Sequence, residues 1–166
     1  LPGAGPAIVG SLGMHSPGTN TPTSPALAGA IEYATSWATA HPDHVTVVAF
    51  ATDGDPSECD TDLANIDAIA SAGFAGTPSI RTFVIGVGGS TMALDGIAAA
   101  GGTTAAYHVD FDPDATSLFV QTMNQIRGAA IQCTYEIPPP PEGMVENFDL
   151  VNVSYVPGGG GPDQEF

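Results

Sequence analysis

Lysine is absent from this sequence, and arginine occurs only at Arg81 and Arg127. Against those two cations stand 18 acidic residues, for a formal net charge of −16. Such a surface repels phosphate backbones and anionic headgroups, which argues against nucleic acid and membrane surfaces as partners. The same field attracts cations and makes calcium or magnesium natural company. Long apolar runs are missing too, so no segment is expected to insert into a bilayer. Cysteine is scarce, and Cys59 and Cys133 fit no metal-ligand spacing such as Cys-x-x-Cys. The chain opens at Leu1 without a charged leader or an initiator methionine, which suggests a processed or truncated product.

What is present is enough for one core. Of 166 residues, 43% are hydrophobic, which supports folding and leaves little room for a second full domain. Abundant Gly, Pro, Thr and Ser, together with the acidic balance, point to a secreted or cell-surface protein. Asn152-Val153-Ser154 is a glycosylation sequon, meaningful in a eukaryotic secretory route.

Along the chain, residues 1–20 are rich in Gly and Pro and read as mostly loop. A helix is expected from Ser24 as N-cap, with Pro25 at its first position, where a missing amide costs nothing. Leu27, Ile31, Ala34 and Trp37 recur at helical spacing until Pro42 ends the run. Residues 45–51 form an apolar strand of the kind covered on both faces. Asp60 or Thr61 then caps a helix bearing Leu63, Ile66, Ile69 and Ala70, stopped by Gly73 and Gly76. The alternation continues with a strand over 80–87, a helix over 91–100 stopped by Gly101-Gly102, and a strand over 105–109. Asp112 caps a last helix with Pro113 in its first turn and Phe119, Met123, Ile126 and Ala130 on one face. Strands alternating with helices predict a parallel sheet with helices on both sides. Past Cys133 the style changes: 138–141 is a polyproline linker, 149–155 a strand and 158–161 a flexible end. The chain therefore divides into an α/β part over 1–132 and a Pro-rich, β-strand tail over 133–166.

In an open parallel sheet, ligands bind beyond the carboxyl ends of the strands. Asp53 falls at such an end, and Gly54 allows a sharp turn there. Alone, Asp-Gly after a strand is an ordinary turn signal. Three segments in order carry more: Thr21-Pro22-Thr23-Ser24-Pro25-Ala26-Leu27, Val47-Val48-Ala49-Phe50-Ala51-Thr52-Asp53-Gly54 and Phe83-Val84-Ile85-Gly86-Val87-Gly88. In this order and spacing, residues 20–132 resemble the C-terminal part of a von Willebrand factor type A domain. The resemblance implies a three-layer, Rossmann-like α/β fold with a parallel sheet, incomplete at its N-terminus, followed by a short C-terminal β segment. It implies a magnesium or other divalent-ion site in which Thr21 is a direct ligand, with Thr23 the near alternative, and Asp53 acts through water. The family's Asp-x-Ser-x-Ser segment is absent from this sequence, so the chain would carry the site only in part.

That resemblance implies an extracellular binding or adhesion module, without catalysis, docking protein partners through the ion. Its other half would come from a missing N-terminal segment or another subunit, and the strand over 45–51 would be central. An isolated chain should then bind magnesium weakly or not at all. A runner-up is a metal-dependent phosphatase using Asp53 and Asp55, because Asp53-Gly54-Asp55-Pro56-Ser57 imitates an aspartyl nucleophile loop. Such chemistry needs a cation on the transferring phosphoryl group, and only Arg81 or Arg127 could serve. A purely structural surface-assembly subunit is the third possibility.

Other motifs fall short. Gly86-Val87-Gly88-Gly89 suggests a dinucleotide loop, yet Thr91 stands where its third glycine belongs. Asp110-Phe111-Asp112-Pro113-Asp114 alternates carboxylates as calcium loops do, but reads better as a helix N-terminus favoured by the macrodipole. The histidines are scattered, and His41 and His44 flank a turn at Pro42-Asp43. Cys59 follows the carboxyl end of a strand, whereas Cys133 follows a helix running back to the other end. A strand of about seven residues spans roughly 23 Å, whereas a disulfide needs Cα atoms about 4.4–6.8 Å apart. No bridge between the two is therefore expected.

Overall fold

Apolar segments joined by helix-containing connections cannot pair as hairpins, and here they pair in parallel. A computed structural model describes residues 4–14, 18, 20–88, 92–110 and 114–131, with the backbone alone at 154–155 and 164–165. The chain separates into two units, Leu1–Gln132 and Cys133–Phe166. In the first, five helices are seen among the described residues: α1 (Gly5–Gly13), α2 (Thr23–Ala40), α3 (Leu63–Ala75), α4 (Met92–Ala100) and α5 (Ala115–Ala130). Strands β1 (Val47–Thr52), β2 (Arg81–Val87) and β3 (Tyr107–Val109) form a parallel sheet in the order β1-β2-β3. Val47 pairs with Arg81 and Thr52 with Gly86, while Ile85 to Val87 pair with Tyr107 to Val109.

Side chains alternate across β2 and so feed two cores. Val84, with Ile80 just before the strand, joins Leu27 and Ile31 of α2, Ile66 and Ala70 of α3, and Leu94 and Ile97 of α4. Phe83 and Ile85 face the other way, against Val109 and the Ile126 and Ala130 of α5. A strand buried on both faces reads as a continuous apolar run, which is how 80–87 announced itself. The result is an α/β fold with a parallel sheet between helical layers, consistent with a Rossmann-like architecture.

Several local expectations need correction. The segment taken for loop contains α1, in which Pro6 occupies a first-turn position, but none of its residues is buried. Helix α2 starts at Thr23, with Pro22 at the cap position, so Ser24 lies buried inside the first turn. Pro25 remains harmless there, because first-turn amides have no intrahelical acceptor. Trp37 is not core: Ala38 takes the buried position, and the Trp37 indole stacks on His41 at 3.8 Å between centroids. The His41 ring also meets the Trp37 carbonyl through Nδ1 at 3.0 Å, so this histidine caps α2.

Asp62, not Asp60 or Thr61, caps α3, its carboxylate accepting from the Ala64 amide at 2.9 Å. Asp60 supports the cap from outside, accepting from the Asp62 amide and from the Asn65 side chain. On α5, Thr122 is buried while Met123 is exposed, and Ile126 and Ala130 carry the core contact. Strand β3 is shorter than expected, because the Ala106 amide bonds the Asp95 carboxylate at 2.9 Å and leaves the ladder. The helix expected from Asp112, with Pro113 in its first turn, starts instead at Ala115 with Asp114 at the cap position. Residues 111–113 themselves, Cys133, the polyproline run and Asn152 lie outside the described residues. In the second unit, Ser154–Tyr155 pairs antiparallel with Gln164–Glu165.

Two features bear on stability. Helix α4 ends as the double glycine suggests: the Thr103 amide reaches Ala98 O and the Gly102 amide reaches Ala99 O, with Gly102 at φ 79°. This is a Schellman closure, which places a residue without a Cβ in the left-handed region. The second feature lies between α3 and α4, where Asp67 faces Gly96; one carboxylate oxygen is sealed from water without a partner. Burial holds the Asp67 carboxyl above its ordinary range. A folded-state value above the unfolded one means that this group favours folding at low pH. The benefit is lost as pH rises through the folded value. Asp67→Asn should therefore raise the melting temperature at pH 7, by only about 2 °C because the side chain is partly open to water. The gain should vanish near pH 3. An equal shift at both pH values would place the cost elsewhere than in the carboxylate charge.

Candidate functional site

The carboxyl end of β1 and the entry to α2 meet on one side of the sheet. Thr52, the last residue of β1, is buried, and its hydroxyl closes the turn beyond it, donating to Gly54 O at 3.0 Å and facing the Gly54 amide at 3.4 Å. That local bond fixes the turn from its own strand. Asp53 rides on it with an exposed side chain, and Asp55 is exposed two residues later.

Thr21 arrives from a different element. Its carbonyl accepts from the Thr23 amide at 2.9 Å, the tight turn from which α2 starts. The same carbonyl accepts from the Ser57 amide at 3.1 Å, while the Thr21 amide donates to Ser57 Oγ at 2.8 Å. Two loops remote in sequence are thereby latched by one main-chain bond and one bond to a side chain. A Cβ built on Gly54 would stand 3.3 Å from Thr21 Oγ1, so the bare glycine leaves room for the threonine hydroxyl beside the Asp53 turn. Thr23 is turned inward: it is 1% exposed, and its hydroxyl is sealed without a partner. A hydroxyl and a carboxylate on adjoining loops are hard oxygen donors of the kind magnesium and calcium take.

The two arginines stand at the other end. Arg81 opens β2, and its guanidinium donates to Ala129 O at 3.3 Å and Ala130 O at 2.7 Å, closing the C-terminus of α5. Arg127 lies in the last turn of the same helix. The length of the parallel strands, about 20 Å, separates these cations from Asp53 and Asp55. The phosphoryl chemistry of the runner-up has no cation beside its carboxylates among the described residues. The glycine loop after β2 is committed too, since the Gly88 amide donates to Val109 O at 2.8 Å and knits β2 to β3.

Sequence reasoning singled out Thr21 and Asp53 but missed Ser57. A serine four residues past a strand-end aspartate carries no periodic or motif signal, and only the fold brings it to Thr21. Cys59, in the same loop, is exposed, unbridged and at φ 65°. Compared with known proteins, the chain matches no family model and no curated protein significantly.

Proposed function

We propose that this chain is the C-terminal part of a von Willebrand type A-like binding module. It would dock protein partners through a divalent ion to which Thr21 and Asp53 contribute. The observation that supports this most is the latch that holds the Thr21 loop against the Asp53 turn at the carboxyl end of a parallel sheet. A bound magnesium ion would supply a Lewis-acidic contact for a partner's carboxylate. The Thr21 hydroxyl would face that ion directly, and the Asp53 carboxylate would hold the water between. The remaining oxygens would come from an Asp-x-Ser-x-Ser segment or from another subunit. Secretion or display at the cell surface and the absence of catalysis belong to the same proposal.

With only part of the donor set, the chain alone should bind magnesium no more tightly than the millimolar range, and Asp53→Ala should remove what binding there is. Calorimetry checks this. Micromolar affinity abolished by Asp53→Ala would mean that this chain completes the site by itself. Turnover of an aryl phosphate with magnesium would instead favour the hydrolase.

A further inference from the structure

We propose that Ser57 is a positioning residue for the ion site, holding the Thr21 hydroxyl beside the Asp53 turn. The inference rests on the reading of Thr21 and Asp53 as ion-binding residues. Asp53 needs no help from afar, because the Thr52 hydroxyl closes its turn within β1. Thr21 belongs to the lead-in of α2, and α2 by itself does not set the height of that lead-in over β1. Ser57 does so from both sides, its hydroxyl accepting from the Thr21 amide and its amide donating to the Thr21 carbonyl. The main chain of Thr21 is thus held by one residue 36 positions away. Pro22 restricts Thr21 to extended backbone. With the main chain fixed in that region, the hydroxyl has few directions left, and the space over Gly54 is one. The Ser57 hydroxyl oxygen already faces the Thr21 amide, so Ser57 acts through Thr21 and not as a ligand.

The test uses the whole chain and manganese(II) alone as the probe, followed by paramagnetic broadening of amide signals to concentrations well above the millimolar range. In the wild type, the Thr21 and Gly54 amides should broaden with a common midpoint. Ser57→Ala should raise that midpoint roughly three- to tenfold, the effect of losing one hydrogen bond that orders a loop. Ser57→Thr, which keeps the hydroxyl, should restore it, and the melting temperature of Ser57→Ala should fall by no more than about 5 °C. A second readout needs no ion: solvent exchange of the Thr21 amide should speed up in Ser57→Ala and return in Ser57→Thr. If Asp53→Ala abolishes the broadening while Ser57→Ala leaves midpoint and exchange unchanged, the role of Ser57 is overturned and the ion site stands. If the Thr21 amide exchanges equally fast in wild type and Ser57→Ala, this inference is overturned whether or not the ion broadens either loop. An absence of broadening with the exchange difference intact counts against the ion site alone.

Discussion

Gly102→Val should fold but melt about 10 °C lower than the wild type. The residue sits at φ 79° in the closure of α4, where a β-branched side chain costs about 1–2 kcal/mol in backbone strain alone. A Cβ there also collides with the Phe74 ring from α3, and overpacking of that kind costs typically about 1–3 kcal/mol. For a domain of this size, a total near 3 kcal/mol corresponds to roughly 10 °C. The two contributions are separable. In a Phe74→Ala background the collision is relieved and the backbone strain is not, so about half the loss should return. As a control, Gly128 on α5 has open space around it, and Gly128→Ala should raise stability by about 0.5–1 kcal/mol. A wild-type melting curve for Gly102→Val would mean that α4 does not end in this closure.

The second large effect concerns β1. Among the described residues no strand lies on its outer side, so it forms the edge of the sheet. Yet Val47–Thr52 carries no charge, no proline and no glycine, the devices by which natural edges refuse further strands. One of its faces is open beyond Val47 as well, since Ala49 and Ala51 are exposed. Central placement, implied by the resemblance, would put a strand there; we propose that native material supplies one from a missing N-terminal half or another subunit. Hydrogen exchange should then find the amides of Val47–Thr52 protected about a thousandfold or more in the native protein. Rapid exchange across this strand in a folded monomer would leave the edge bare in solution and count against the incomplete-domain proposal.

Much of the fold was legible because burial on both faces of a strand, or on one stripe of a helix, leaves a periodic trace. The segment 80–87 and the α2 stripe of Leu27, Ile31 and Ala34 follow from such burial. By contrast, 45–51 reads as a strand by composition alone, since Ala49 and Ala51 are exposed and it is not covered on both faces as expected. Other features were lost to competition between neighbours. Pro6 and the glycines on either side spelled loop, while Ile8 and Leu12 at helical spacing described α1. Trp37 matched the apolar stripe by identity, yet the stripe closes with the smaller Ala38 and the indole finds His41 instead. Three carboxyl-bearing or hydroxyl residues, Asp60, Thr61 and Asp62, could each have capped α3, and propensity cannot rank them. At the site, Thr21 and Asp53 were visible through order and spacing. Ser57 was not, because its role consists of two hydrogen bonds made across folded distance.

The Arg81 contact with the end of α5 has an electrical consequence. With Arg127 on the same helix, both arginines of the chain lie at one end of the sheet, while Asp53, Asp55, Glu58, Asp60 and Asp62 lie in the loops at the other. The first unit is therefore a molecular dipole whose negative pole is the loop end. A cationic partner in dilute salt would be turned before contact, meeting the Asp53 side first. That orienting torque fades once the Debye length shrinks to about 8 Å at physiological ionic strength.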